Sequence, residues 1–277
     1  MNRLRSVFSL FVLISSLIFS IQIASAQGER QTVLITGSSK GHGFAFVKDY
    51  AALGWNVIAT CRNPETSDRL TAFAARHDNV VVEELDLTDF SGIDALAAKY
   101  GGTAIDVLNL NGAINTFRFS PNKFGQIDYT WFEEILRVNV VGQLYTAEAF
   151  LDHVASSNQK KIVAMSAVGG SIGNVRSETA PSYRASKSAL NMLFRTYGEA
   201  VKERDVAVLV IAPGTVDAED YMNTENPSMV PAQFQRMIEV GALEPRSTIG
   251  EIIELIDRLT IEDIDQFHKF DGTSLPW

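Results

Sequence analysis

From residue 30 onward the chain alternates short runs of Val, Ile and Leu with longer amphipathic stretches. This alternation restricts the fold more than any other feature. The runs at 32–36, 55–60, 80–85, 105–110, 161–165 and 206–211 read as strands. They are apolar over most of their length, as expected of strands buried on both faces. Helical patterns lie between them near 43–53, 66–77, 89–100, 129–157, 182–204 and 248–259. Strand–helix–strand units of this kind close by right-handed crossovers into a parallel sheet. The expected architecture is therefore α/β, a single doubly wound domain from about residue 30 to 277. Residues 215–247 interrupt the alternation with Pro227, Pro231, Pro245 and a short helical pattern at 231–240. That segment fits a substrate-covering insertion or a plain surface loop.

The 277 residues, 46% of them hydrophobic, suffice for one sizeable core. A net charge of −9 gives no basic footprint for nucleic acid. Cys61 is the single cysteine, which excludes an intramolecular disulfide and any CxxC zinc site. The four histidines (His42, His77, His153, His268) lack metal-ligand spacing, so no metal is expected.

The N-terminus reads differently. Arg3 and Arg5 precede an apolar run from Val7 to Ile23, and Ala24-Ser25-Ala26 follows as a small-x-small cleavage site. This predicts a signal peptide over 1–26, a mature domain over 27–277, and a destination in the secretory pathway or periplasm. The alternative is an uncleaved membrane anchor, since the run is near the short limit for spanning a bilayer.

Two motifs carry chemistry. Thr36-Gly37-Ser38-Ser39-Lys40-Gly41-His42-Gly43 follows the first strand and opens a helix. Gly37 permits a tight turn, while Gly41 and Gly43 let backbone and helix N-terminus approach a phosphate. The second strand ends Ala59-Thr60-Cys61-Arg62-Asn63, with no acid to hold a ribose 2′-hydroxyl. Arg62 and Lys40 instead suit a 2′-phosphate, so the cofactor expected is NADP. The second motif is Tyr183-Arg184-Ala185-Ser186-Lys187. Residues at i and i+4 share a helix face. A free phenol titrates near ~10, and a nearby ammonium lowers that value toward working pH.

These segments together resemble the short-chain dehydrogenase/reductase family over about residue 32 to the C-terminus. The family's Thr-Gly-x-x-x-Gly-x-Gly stands at 36–43 and its Tyr-x-x-x-Lys at 183–187. Leu110-Asn111-Gly112-Ala113 is similar to its Asn-Asn-Ala-Gly, Asn139 to its helix-borne asparagine, and Pro213-Gly214 to its Pro-Gly after the sixth strand. The Cys61-Arg62-Asn63-Pro64 segment and the tail from Phe270 to Trp277 further resemble the C-factor-like carbonyl reductase branch. The resemblance implies a Rossmann-like fold and an NADP-dependent interconversion of a small carbonyl compound and its alcohol. It makes Tyr183 the acid–base, Lys187 its partner and a ribose ligand, and Asn139 the holder of a relay water. It places Asp86 and Leu87 at the adenine, and Asn111 and Gly112 beside the adenosine. Pro213, Gly214 and Val216 would meet the nicotinamide. Gly37, Ser39, Lys40, Gly41, His42, Gly43 and Arg62 would hold the phosphates and ribose. It also implies a homodimer or homotetramer through the helices at 129–157 and 182–204.

Two positions depart from the family pattern. The substrate-polarising serine is replaced by Ala167 after Ser166, and Ser171 is the nearest substitute. A threonine that touches the cofactor is replaced by Ala218. These gaps, with the export signal, leave a second reading open: a reductase-like protein that binds NADP(H) or a ligand with little turnover. Phe117, Phe119, Phe124, Tyr221 and Met222 are candidates for an apolar pocket.

Overall fold

In the computed structural model, alternate residues of each central strand feed opposite cores. The structure describes residues 30–114, 123–219, 221–224, 228, 230–244 and 246–277. Residues 1–26, expected to be a signal peptide, together with Phe117, Phe119, Pro227 and Pro245, lie outside the described residues. In β1 (Thr32–Ile35), Val33 and Ile35 join one core and Leu34 the other. In β6 (Ala207–Ala212), Leu209 and Ile211 oppose Val208 and Val210 in the same way. Period-two side chains on a strand covered on both sides require this, and it is why the runs are apolar over most of their length.

The remaining strands are β2 (Asn56–Cys61), β3 (Val80–Glu84), β4 (Val107–Leu110), β5 (Lys161–Met165), β7 (Phe267–Lys269) and β8 (Ser274–Leu275). Their order across the sheet is β3-β2-β1-β4-β5-β6-β7-β8. All pairings are parallel except the last, β7 with β8. The six predicted strands are present, with ends moved by one or two residues. The sequence pattern did not contain β7 and β8, which are too short to show a period.

Helices α1 (Gly41–Ala52), α2 (Asp68–Ala74) and α9 (Thr248–Arg258) cover one face with Phe46, Leu70 and Ile252. The other face is covered by α3 (Phe90–Lys99), α5 (Gln143–Ala149), α6 (Leu151–Ala155) and α7 (Pro181–Val201). Ile93, Ala147, Val154 and Phe194 fill that core. Truncating a fully buried residue such as Phe194 to Ala costs about 3–5 kcal/mol. Lys161 is also buried. Its Nζ donates to the Ile256 and Asp257 carbonyls at 2.7 and 2.5 Å, satisfying acceptors that the end of α9 leaves open.

The single helix expected over 129–157 is broken. It consists of α4 (Tyr129–Leu136), a π-helical segment Arg137–Gly142, then α5 and α6. The π segment ends at Gly142, where a Cβ would fall 2.2 Å from the Leu87 carbonyl oxygen. The backbone passes too close to the β3–α3 connection for a side chain. Wide turns of this kind recur at functional sites. Within 215–247 the described helix is α8 (Ala232–Glu239).

β1 lies between β2 and β4, so the chain runs outward in one direction and then in the other. In open α/β sheets the crevice beyond the carboxyl ends at such a reversal is where ligands bind.

Candidate active site

The glycine turn joins the ends of β1 and β4. Thr36 Oγ1 accepts the Gly112 N–H at 2.8 Å, and Asn111 Nδ2 donates to the Thr36 and Gly37 carbonyls at 3.0 and 3.3 Å. Gly37 has φ +70°, and a Cβ there would sit 2.7 Å from Gly112 Cα. A Cβ at Gly43 would fall 2.1 Å from the Gly37 carbonyl oxygen. Gly41 differs: its φ is +58° and nothing lies within 4 Å of the Cβ position. Its open side faces the cavity, as a backbone cradle requires.

Asn139 sits in the π segment, fully buried. Its Oδ1 accepts the Ile114 N–H at 2.8 Å, and its Nδ2 donates to the Ile114 carbonyl at 2.8 Å and to Ser186 Oγ at 3.1 Å. Ser186 Oγ in turn donates to the Tyr183 carbonyl at 2.8 Å. The asparagine thus fixes the β4 loop against the first turns of α7.

Tyr183 and Lys187 share that face of α7. Lys187 Nζ lies 5.9 Å from the Tyr183 ring centroid and donates to the Met165 carbonyl at 2.7 Å. Burial pushes the Lys187 amine down from 10.5 to about 7. Burial also pushes the Tyr183 phenol up to about 12. This corrects the expectation that Lys187 lowers the phenol: desolvation disfavours the charged form of each group and dominates both. The phenol is therefore neutral at pH 7 and able to donate.

The β5 end resolves the serine question. Ser166 Oγ donates to Asn191 Oδ1 at 2.5 Å, away from the cavity. Ala167 lines the cavity. Ser171 does not, and the expectation that it substitutes for the missing serine is corrected: its buried hydroxyl donates to the Pro276 carbonyl. Gly173 N–H donates to the Trp277 carbonyl at 2.9 Å, so the C-terminal tail ties down this loop at two points.

The segment after β6 forms the opposite wall. Gly214 has φ +75°, Val216 pairs with Glu244, and the buried Asp217 carboxylate accepts the Tyr221 and Met222 N–H groups at 2.8 and 2.7 Å. His42 is bound to the Val216 backbone. Burial, opposed by that bond and aided by Arg246 and Lys187, lowers its pKa to about 4, so it is neutral at pH 7. Glu219 reaches back to α1, where its Oε1 accepts the Gly41 N–H at 2.9 Å and its other oxygen pairs with Arg69. Burial opposes its charge, but Arg69 and the Gly41 amide outweigh burial and hold its pKa below the ordinary value.

One cavity of about 690 Å³ runs between these parts. Of the residues expected at the cofactor, Gly37, Lys40, Gly41, His42, Gly43, Asn111, Tyr183, Gly214 and Val216 line it. Asn139, Lys187, Gly112 and Pro213 stand behind that lining rather than in it. Ser39, Arg62, Asp86 and Leu87 do not line it either. Arg62 is exposed at the end of β2. Asp86 Oδ1 accepts from Thr88 N and Oγ1, each at 2.8 Å, and buried Leu87 packs under Gly112 and Gly142. Tyr221 lines the cavity with Phe234 and Met237 of α8, whereas Phe124 is 73% exposed and does not. The sequence reading missed Asp217, Glu219, Thr179 and Arg184. Their one signal was position: two lie shortly after Pro213-Gly214, and the others precede or fall within the Tyr-x-x-x-Lys segment. Among the described residues no cluster of metal-binding side chains occurs.

The chain and its fold are similar to those of known proteins. An uncharacterized oxidoreductase of Schizosaccharomyces pombe is 28% identical over 250 residues, covering 88% of this chain and 96% of its own. The structure is similar to the NADPH-bound carbonyl reductase from chicken fatty liver (TM-score 0.75, 25% identity, 90% of this chain, 99% of that one). It is similar also to the carbonyl reductase Sniffer of Drosophila melanogaster (TM-score 0.74, 26% identity, 90% and 100%). The family model for short chain dehydrogenases matches residues 31–229, from the first strand through the glycine turn and the Tyr183–Lys187 pair to the loop after β6, and the chain belongs to that family of oxidoreductases.

Proposed function

We propose that this chain is an NADP(H)-dependent oxidoreductase that interconverts a small carbonyl compound and its alcohol. One observation carries the reading: a single cavity is lined both by the glycine turn and by the Tyr183 phenol. The residues fit the dinucleotide. Gly41 presents an open backbone face, and its N–H already donates to an anionic partner, the Glu219 carboxylate. Lys40 and Arg62 are exposed cations, and no acid stands at the end of β2 to exclude a 2′-phosphate. The chicken carbonyl reductase, which shares the fold at 25% identity, binds NADPH.

NADPH, when bound, supplies a hydride to the carbonyl carbon. Tyr183 gives its proton to the carbonyl oxygen, and the phenolate left behind faces the Lys187 ammonium. In the oxidising direction the phenolate takes the alcohol proton. Asn139 and Ser186 hold α7 so that Tyr183 keeps its aim. Phe234, Met237 and Tyr221 give the substrate end an apolar wall.

Ala167 supports a second reading, a reductase-like NADP(H)-binding protein with little turnover, because the wall beside Tyr183 lacks a hydroxyl there. NADPH oxidation by the purified protein, followed across a panel of aldehydes and ketones, separates the two. Turnover of any panel member supports the enzyme. Bound NADPH with no turnover supports the binding protein.

A further inference from the structure

We propose that Arg69 and the Gly41 amide form a phosphate-binding pair of the dinucleotide site, and that Glu219 is the internal anion holding this pair until a phosphate replaces it. The proposal rests on the NADP(H) reading above.

The geometry is that of an anion site with its occupant in place. One Glu219 oxygen accepts the Gly41 N–H at 2.9 Å, and the other pairs with Arg69 Nη1. A single carboxylate therefore bridges the head of α1 and the first turn of α2. Helix α1 has twelve residues, no acid in its first turn and no side-chain cap from Lys40. Its N-terminus draws negative charge from Glu219, 178 residues away in sequence. A phosphate oxygen pair presents the same two acceptors with more charge, and helix N-termini favour such anions.

Arg69 is prepared to stay when the carboxylate leaves. Its guanidinium lies 4.3 Å from the centroid of the Phe44 ring on α1. Stacking fixes a planar guanidinium at low entropic cost. Lys48 lies over the same ring at 5.4 Å and adds positive potential. The Arg69–Glu219 pair is also weak enough to exchange. Arg69 is 47% and Glu219 23% exposed, and ion pairs this open to water contribute little. Glu219 rides on the irregular segment after Gly214, so turning its side chain away leaves the helices in place.

Fluorescence titration with NADPH and with NADH tests this on the full chain, using the parent, Glu219→Gln, Glu219→Ala and the double variant Glu219→Gln/Arg69→Met. Both single variants should bind NADPH roughly three- to tenfold more tightly, because a modest exposed interaction no longer competes. The double variant should bind roughly tenfold or more weakly than Glu219→Gln, the usual cost of losing a charged hydrogen-bond partner. Weakening of both coenzymes assigns the pair to the pyrophosphate. Weakening of NADPH alone assigns it to the 2′-phosphate. Either result supports the pair. Unchanged or weaker NADPH binding by both single variants overturns the exchange, and a double variant equal to Glu219→Gln for both coenzymes overturns Arg69 as a ligand. Failure of the parent and every variant to bind either coenzyme overturns the NADP(H) reading itself, and this proposal with it.

Discussion

Lys187 Nζ donates to the Met165 carbonyl at 2.7 Å while lying 5.9 Å from the Tyr183 ring centroid. One amine thereby joins the end of β5 to the face of α7 that carries Tyr183. Its burial costs stability, and that cost depends on pH. The folded value is about 7 and the ordinary one 10.5. At or below about pH 7 both folded and unfolded chains hold the proton, and the fold carries the full penalty. Between about 7 and 10.5 the unfolded chain binds more protons, so stability rises with pH. The parent should therefore gain a few kcal/mol relative to Lys187→Met between about pH 7 and 10, at ~1.36 kcal/mol per pKa unit. Denaturant melts at the two pH values measure this. A constant difference would contradict it.

The glycines of the turn and of α9 should respond oppositely to alanine. At Gly43 a Cβ would meet the Gly37 carbonyl oxygen at 2.1 Å and Asn111 Nδ2 at 2.7 Å. Gly43→Ala should cost about 1–3 kcal/mol or more and weaken NADPH binding. Gly250, inside α9, has nothing within 4 Å. Gly250→Ala should stabilise by about 0.4–1 kcal/mol, mainly by restricting the unfolded chain. Thermal melts of the two variants decide this.

Arg62→Ala should narrow the preference for NADPH over NADH roughly tenfold or more, since a charged partner to a phosphate is worth about 1.5–3 kcal/mol. Equal affinities of the parent for the two coenzymes would remove the basis for this expectation.

Ala167 stands at the end of β5 on the cavity wall that Tyr183 also lines. Ala167→Ser should raise turnover tenfold or more, because a donor aimed at a developing oxyanion contributes about 2.7–4 kcal/mol. Unchanged kcat would mean that another cavity hydroxyl, such as Thr179 or Thr215, already serves.

The layering was legible because strands buried on both faces are apolar over most of their length, and six such runs were. The glycine turn was legible because Gly37 and Gly43 answer to contacts that a Cβ forbids and Gly41 to a positive φ, and Asn111 and Thr36 pack against that turn. The break in the 129–157 helix was not, since the local periodicity continues across it and the approach of Leu87 to Gly142 comes from a distant connection. Ser171 failed as a candidate for the same reason: its partner, Pro276, is 105 residues away in sequence. Glu219 was invisible because an acid in an irregular loop carries no period, and only the fold brings it to Gly41. The Tyr183 pKa was expected to fall because spacing shows the neighbouring amine but not the depth at which both groups lie.

The central claim is that Tyr183 supplies the proton in an NADPH-dependent carbonyl reduction. Tyr183→Phe keeps the ring and removes only the donor, so NADPH binding and turnover measured side by side test it most directly. The account predicts a loss in kcat of about 10²-fold or more, the usual range for a general acid, with NADPH affinity nearly unchanged. Retained turnover in Tyr183→Phe would contradict it.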